Sequence, residues 1–236
     1  HDMGRYGSQE TGMALSGVMD TRAAALADIL VGNDENEAVL EVTMMGPIME
    51  FTEDELIAVT GGDLGVKVDG NPLPRYEAVL IKAGQTVSFG GMYGGSRAYM
   101  AFAGGLDVPV VMGSRSTYLK AKIGGLGGRK LQKNDVIGFR APGIPKNLSE
   151  RYIYPEFIPH PVYTLRVVMG PQDDAFTDSG IATFLRETYS VTNEFDRMGC
   201  RLDGMPIQHV TDGKIISDGI AFGAIQVPTE GKPIIM

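Results

Sequence analysis

Three short hydroxyl residues and an arginine follow a glycine near the middle of the chain: Ser114, Arg115, Ser116 and Thr117 come directly after Gly113. Hydroxyls beside a planar guanidinium can together bind a carboxylate, a phosphate or a carbonyl group. The same hydroxyls can also satisfy the backbone of their own turn, as Ser and Thr often do. The residue types alone leave both interpretations open.

Other candidate residues lie on either side of this segment. Arg97 begins a strand-like run that leads to a glycine bend at Gly104, where the backbone could come close to a ligand or simply pack against a sheet. Asp196 and Arg197 place an acid beside a base, which indicates an ion pair at a turn more readily than a catalytic acid. Gln226 lies between apolar neighbours, and a buried amide there would need a partner in the core or in a ligand.

Several common kinds of site are disfavoured. Gly124–Lys130 is rich in glycine but lacks the Gly-Lys-Ser/Thr ending of a P-loop, so a turn is favoured over a phosphate cradle. With three histidines and one cysteine, Cys200, the sequence predicts neither a Cys/His zinc cluster nor an internal disulfide. We therefore predict no metal site.

The overall charge argues against a polyanionic partner. The 236 residues include 21 Lys+Arg and 29 Asp+Glu, a formal net charge of -8, and no basic run that would bind nucleic acid. Hydrophobic residues make up 43% of the chain, as in ordinary globular proteins, and no apolar run approaches the length of a membrane span. The single cysteine and the lack of a signal peptide predict a cytoplasmic protein.

Short β-type runs ending near glycine, proline or aspartate predict a mainly β chain. The predicted strands are Val39–Thr43, Leu56–Thr60, Val66–Val68, Thr86–Phe89, Ala98–Phe102, Val136–Phe139 and Leu165–Met169. Asp69 and Gly70 predict a tight hairpin turn. An alanine-rich segment between Asp20 and Gly32 predicts a helix with both caps, and apolar spacing predicts a second helix over 178–187.

Five prolines between 142 and 161 indicate a linker or crossover. We accordingly predict a first β-rich unit over 1–141, a linker over 142–163 and a second unit over 164–236. We expect the second unit to be incomplete at its C-terminal end, and the N-terminal segment is a candidate to pack with it.

Taken in order, the motifs resemble the biotin-dependent carboxyltransferase family, subdomains A and B, also called the allophanate hydrolase subunit 2 family. The blocks that carry the resemblance are Asp2–Gly7, Ser16–Asp20, Glu41–Thr43, Thr60–Asp63, Ser96–Tyr99, Ala103–Pro109, Gly113–Thr117, Gly170–Gln172, Asp196–Gly199 and Gly223–Pro228. The resemblance implies a mainly β fold of two cyclophilin-like β-barrel units with a few short helices.

The resemblance also implies a function. Stand-alone members resemble a subunit of an ATP-dependent 5-oxoprolinase, which hydrolyses 5-oxoproline to glutamate with an allophanate hydrolase subunit 1-type partner and a third subunit. Two alternatives are a carboxyltransferase moving a carboxyl group from carboxybiotin to urea, in which case biotin is a cofactor, and a regulator that binds a histidine-kinase inhibitor. No biotin carboxylase or carrier segment shares this chain, which favours the 5-oxoprolinase role.

The resemblance also implies roles for individual residues within the matching blocks. Anion and carbonyl recognition is assigned to Arg97, Ser114, Arg115 and Ser116. Asp196 and Arg197 are assigned an acid/base or orienting role, and Gln226 an amide contact.

Overall fold

The computed structural model describes residues 1–141, 151–154, 162–213 and 219–236. The chain divides into two compact units, His1–Val162 (unit 1) and Tyr163–Met236 (unit 2). The division falls at the end of the predicted linker over 142–163. Most of that linker lies outside the described residues, but 151–154 is hydrogen-bonded within unit 1, where the Ile153 amide donates to the Tyr76 carbonyl (2.8 Å).

Unit 1 contains one α-helix and eight strands among its described residues. They are α1 (Thr21–Val31), β1 (Leu40–Thr43), β2 (Met49–Glu50), β3 (Glu55–Asp63), β4 (Val66–Val68), β5 (Asn71–Pro72), β6 (Ala78–Ile81), β7 (Thr86–Phe89) and β8 (Gly94–Phe102). The strands form two four-stranded sheets, in the orders β1-β8-β3-β6 and β2-β7-β4-β5, and all pairings are antiparallel.

Helix α1 forms where its local signals predict it. The Asp20 carboxylate accepts a hydrogen bond from the Ala23 amide, and Gly32 adopts the left-handed conformation (φ 82°) that ends the helix. Ala23, Ala24 and Ala27 are buried, and their small side chains let the helix approach the sheet closely. Asp20 therefore caps α1, as the sequence predicts.

The central strands bury both of their faces. Ile57 and Val59 of β3 point into the core below the sheet, whereas Leu56 and Ala58 pack beneath α1. The alternation follows from the two-residue period of a strand, and it makes the first sheet a layer between α1 and the second sheet. The core of unit 1 therefore holds β8, and with it Arg97, on a rigid support.

Unit 2 contains α2 (Asp178–Arg186), β9 (Ser190–Phe195), β10 (Cys200–Asp203), β11 (Ile225–Gln226) and β12 (Ile234–Ile235). The strands form one antiparallel sheet in the order β11-β12-β10-β9. Thr177 caps α2 by accepting a hydrogen bond from the Gly180 amide. Among the described residues of unit 2, Ile207 is the one large hydrophobic side chain that is buried.

The mainly β class, both helices and the hairpin at Asp69–Gly70 are confirmed. Two predicted strands are wrong. Val136–Phe139 forms one isolated bridge, from Phe139 to Leu106, and Leu165–Met169 is exposed and unpaired with any strand in the described chain. Apolar β-formers make a strand only where a neighbour supplies hydrogen bonds, and these runs find little or none.

Neither a membrane-spanning helix nor a metal-binding cluster occurs in the described part of the chain. None of its helices is long and apolar enough to span a membrane. No three of its His, Cys, Asp or Glu side chains come together as metal ligands would.

Candidate functional site

The predicted hydroxyl cluster surrounds a buried carboxylate, that of Asp2. The hydroxyls of Ser114 and Ser116 donate to Asp2 Oδ1 at 2.6 and 2.8 Å, and the Arg115 amide donates to Asp2 Oδ2 at 2.6 Å. Burial opposes the ionisation of Asp2, but these hydrogen bonds outweigh it and lower the pKa below its ordinary value. We call Asp2 and the turn Ser114–Ser116 the Asp2 centre.

The Arg115 side chain extends from this turn to the surface of the unit. Its Nη1 donates to the Val108 carbonyl at 2.9 Å, and its Nε lies 3.4 Å from Glu37 Oε1. Arg140 also pairs with Glu37, so two guanidinium groups share one carboxylate. The group therefore carries one net positive charge, and such a group attracts an anionic ligand.

Arg97 belongs to the same polar network as the Asp2 centre. Its Nε lies 3.7 Å from Glu41 Oε1, and Glu41 Oε2 accepts a hydrogen bond from the Met19 amide at 2.8 Å. The preceding amide, that of Val18, donates to the Asp2 carbonyl at 2.9 Å. The segment before α1 thus links Arg97 to the Asp2 centre through two consecutive amides.

The end of this linking segment is fixed by a buried phenol. The Asp20 amide donates to the Tyr99 hydroxyl at 2.8 Å, and Tyr99 is fully buried. Burial, and after it the charge of Glu41, raises the pKa of Tyr99, so the phenol stays neutral. Tyr99 therefore holds the beginning of α1 against β8 without adding charge.

The glycine-rich segment 124–128 packs on the Asp2 centre, and two of its amides donate to backbone carbonyl groups of the protein. The Gly125 amide donates to the Arg115 carbonyl at 2.9 Å, and the Gly128 amide donates to the Gly124 carbonyl at 2.8 Å. A Cβ atom at Gly124 would lie 2.1 Å from the Ser116 carbonyl oxygen, so only glycine fits there. This packing supports a turn and does not fit a phosphate cradle.

Two of the three predicted residues of unit 2 meet in a cleft of about 490 Å³. Asp196 and Gln226 both line this unit 2 cleft, although they are far apart in the chain. They meet because β12 pairs with both β10 and β11. Both side chains are exposed, so Gln226 is not the buried core amide that was one of its two predicted roles.

A cation that sequence reasoning did not select also lines the cleft. Arg201 of β10 pairs with Glu194 of β9 at 2.9 Å, and both residues face the cleft. Arg197 is half-buried and lies outside the set of described residues that line it. Asp196 Oδ1 accepts hydrogen bonds from the amides of Met198 and Gly199, which form a local turn around the carboxylate.

The structure therefore gathers the predicted residues into two groups, one in each unit. Arg97, Ser114, Arg115 and Ser116 share the network of unit 1, while Asp196 and Gln226 share the unit 2 cleft. Sequence reasoning assigned no role to Asp2, Glu37 or Arg201. Nothing in the sequence near Asp2 or Glu37 indicates which residues they contact. Arg201 could have been selected, because it closely follows the Asp196–Gly199 block.

The sequence matches the family described as carboxyltransferase domain, subdomain A and B, over residues 11–236. The chain belongs to this carboxyltransferase family. The resemblance carried by the sequence blocks is confirmed, and both polar groups fall within or directly beside the matched region.

Relatives in this family include parts of two kinds of enzyme. The chain is 34% identical to the 5-oxoprolinase C subunit of Escherichia coli, over 100% of this chain and 74% of that protein. It is also 34% identical to the urea amidolyase of Saccharomyces cerevisiae, over 85% of this chain but 11% of that protein. The 5-oxoprolinase C subunit of Haemophilus influenzae is 32% identical over 100% of this chain and 74% of that protein.

Two solved structures share the fold of this chain. The structure of TTHA0988 superposes with a TM-score of 0.86 at 30% identity, over 100% of this chain and 45% of that one. The Kluyveromyces lactis urea amidolyase superposes with a TM-score of 0.83 at 29% identity, over 99% of this chain and 15% of that one. The chain thus spans under half the length of these solved proteins.

Proposed function

We propose that this chain acts as a subunit of an ATP-dependent 5-oxoprolinase, which hydrolyses the lactam of 5-oxoproline to glutamate. The observation that carries the proposal is how much of this chain each relative matches. Two proteins named as the C subunit of 5-oxoprolinase align with 100% of this chain, whereas the yeast urea amidolyase aligns with 85% of it.

The unit 2 cleft suits such a substrate chemically. The substrate 5-oxoproline carries one carboxylate and one lactam amide. The amide of Gln226 can donate to the lactam oxygen and accept from its N–H, and the guanidinium of Arg201 can bind the carboxylate. Asp196 in the same cleft can orient a water molecule or accept its proton, with Arg197 beside it in the chain.

Unit 1 supplies the cationic part of the proposal. Arg97 and Arg115 remain our candidates for binding an anionic or carbonyl group, since the network holds both guanidinium groups in place. The hydroxyls of Ser114 and Ser116 already donate to Asp2, so recognition of a substrate by them would require those hydrogen bonds to open.

In this proposal ATP is a cosubstrate of the assembled complex, and it would supply the phosphoryl group that activates the lactam oxygen. The glycine segment 124–128 does not fit its phosphates, so we propose that the nucleotide is bound outside that segment. We also propose an allophanate hydrolase subunit 1-type partner, a third subunit and a location in the cytoplasm.

The test is phosphate release from ATP, measured with and without 5-oxoproline in a complex of this protein with the two candidate partners. We expect release that depends on 5-oxoproline and stops when this subunit is omitted. Arg201→Ala should weaken it, whereas Arg186→Ala, an exposed arginine at the end of α2, should leave it unchanged. Release that does not need this subunit would contradict the proposal.

A second candidate function is carboxyl transfer from carboxybiotin to urea. The urea amidolyases support it, because their sequence and their fold both match this chain. Biotin would then be a cofactor of the larger assembly. Urea-dependent consumption of carboxybiotin, in an assay with no ATP and no 5-oxoproline, distinguishes this function from the first.

A further inference from the structure

The N-terminal segment holds the turn of Arg115 from one side through Asp2. Asp2 is 6% exposed, and its carboxylate accepts hydrogen bonds from the Ser114 hydroxyl, the Ser116 hydroxyl and the Arg115 amide. The contact is also made by the backbone, since the Asp2 amide donates to Ser116 Oγ at 2.9 Å. These three donors of the turn therefore depend on one side chain.

Arg5 holds the same turn through its acceptors. Its Nε donates to the Val111 carbonyl at 3.1 Å, its Nη2 donates to the Ser116 carbonyl, and the residue is fully buried. Asp2 and Arg5 thus bind complementary groups of one turn that lies far from them in the chain. A turn whose donors and acceptors are both occupied has little freedom to change its backbone angles.

The segment that carries Asp2 is itself fixed by close packing. A Cβ atom at Gly17 would lie 2.2 Å from the Met3 carbonyl oxygen, and one at Gly4 would lie 2.6 Å from the Leu15 carbonyl oxygen. Only glycine fits at such distances, so the two backbones are in direct contact. Asp2 is therefore held in place independently of the turn that it binds.

We propose that Asp2 is a positioning residue, whose carboxylate fixes the backbone of Arg115 and so aims its guanidinium at the Val108 carbonyl and Glu37. Asp2 acts directly on the residue that it positions, because its carboxylate accepts a hydrogen bond from the backbone amide of Arg115, whose side chain contacts Val108 and Glu37. The proposal rests on the proposed function only in the role it gives to Arg115 as an anion-binding residue.

Asp2→Asn is the decisive variant, since it preserves size and shape. The asparagine places an NH₂ group where the carboxylate meets only donors, so at least one hydrogen bond of the turn is lost. The readout is the Nε–H resonance of Arg115 in the full ¹⁵N-labelled chain, assigned with Arg115→Lys. We expect this resonance to shift and its exchange with water to become roughly tenfold faster, in line with a loss of about 1.4 kcal/mol.

Arg129 provides the matched control resonance. Its guanidinium pairs with Asp135 at 2.7 Å in the same unit, outside the Asp2 centre, so its Nε–H signal should not change. An unchanged Arg115 signal in folded Asp2→Asn would overturn the proposal. If Asp2→Asn does not fold, Ser114→Ala replaces it as the test, because this substitution removes one hydrogen-bond donor to Asp2 and adds none. We expect it to shift the Arg115 resonance in the same direction but by a smaller amount.

Unfolding of both variants would also overturn the proposal, because Asp2 would then maintain unit 1 as a whole.

Turnover gives a second readout in the reconstituted complex. Asp2→Asn should lower kcat/KM on its own and have no further effect in an Arg115→Ala background. A wild-type complex without 5-oxoproline-dependent activity would contradict the proposed function, while the resonance would still decide the role of Asp2.

Discussion

Unit 1 and unit 2 hold their polar side chains in different ways. In unit 1 the candidate residues are tied to buried partners such as Asp2 and Glu41, above a sheet with two packed faces. In unit 2 Asp196, Arg201 and Gln226 lie open on a small sheet with little buried apolar surface. A side chain is thus held firmly where it has both a hydrogen-bond partner and a packed layer beneath it.

Among truncated side chains, the largest loss of stability that we expect concerns the packed layer. Leu56→Ala, beneath α1, should lower the free energy of unfolding by about 2–5 kcal/mol, because it opens a cavity between the helix and β3. Leu185→Ala, whose leucine is 61% exposed on α2, should cost about 0.5 kcal/mol or less. Urea denaturation of both variants measures the difference, and equal losses would remove the contrast between the units.

The second prediction compares arginines. Arg115→Ala should reduce kcat/KM of the complex about a hundredfold or more, near 2.7 kcal/mol, while the protein stays folded. Arg201→Ala should reduce it about tenfold, because the Arg201 side chain is half exposed and water screens its charge. Arg129→Ala, which removes a guanidinium paired with Asp135 outside the Asp2 centre, is the control. An unaltered rate in Arg115→Ala would exclude the assigned role.

The third prediction uses a carboxyl group buried in α1. Burial raises the pKa of Asp28 to about 8, so the folded chain keeps a proton that the unfolded chain releases near pH 4. The contribution of Asp28 to stability must therefore fall as pH rises from about 4 to about 8, by about 1.4 kcal/mol per pH unit, and stay level outside that window.

Asp28→Asn should remove this slope from the pH dependence of unfolding, measured by urea denaturation at several pH values. The substitution retains the acceptor for the Asn33 side-chain amide, which donates to Asp28 Oδ1 at 3.0 Å. Asp174→Asn, at an exposed residue of unit 2, controls for the change in charge. A slope that persists in Asp28→Asn would show that Asp28 does not cause it, which contradicts the raised pKa of this group.

The weakest effects that we expect are those of the helix caps, for which the two units should behave alike. Asp20→Ala and Thr177→Ala each remove one hydrogen bond to a first-turn amide, from Ala23 at 2.9 Å and from Gly180 at 3.0 Å. Each should cost about 1 kcal/mol, measured by hydrogen exchange of the amides in that turn. A much larger loss for Asp20→Ala would mean that the cap also supports the network around Tyr99.

Short-range features were predictable from the sequence. The caps Asp20 and Gly32 and the hairpin residues Asp69 and Gly70 act on backbone within a few positions, so their residue types are sufficient. The strand predicted over 165–169 failed because a strand also requires a neighbour, which residue type does not supply. The exposure of Gln226 was missed for the same reason, since it depends on what covers β11.

Local propensity and the order of motifs were enough to predict the helices, most strands of unit 1, the mainly β class and the family. The contacts of Asp2 with Ser114, Arg115 and Ser116, and the meeting of Asp196 with Gln226, emerged only from the folded arrangement of the chain. A hydrogen bond is directional and effective only over about 3 Å. Partners distant in the chain leave no pattern in the sequence, and the fold alone brings them within that distance.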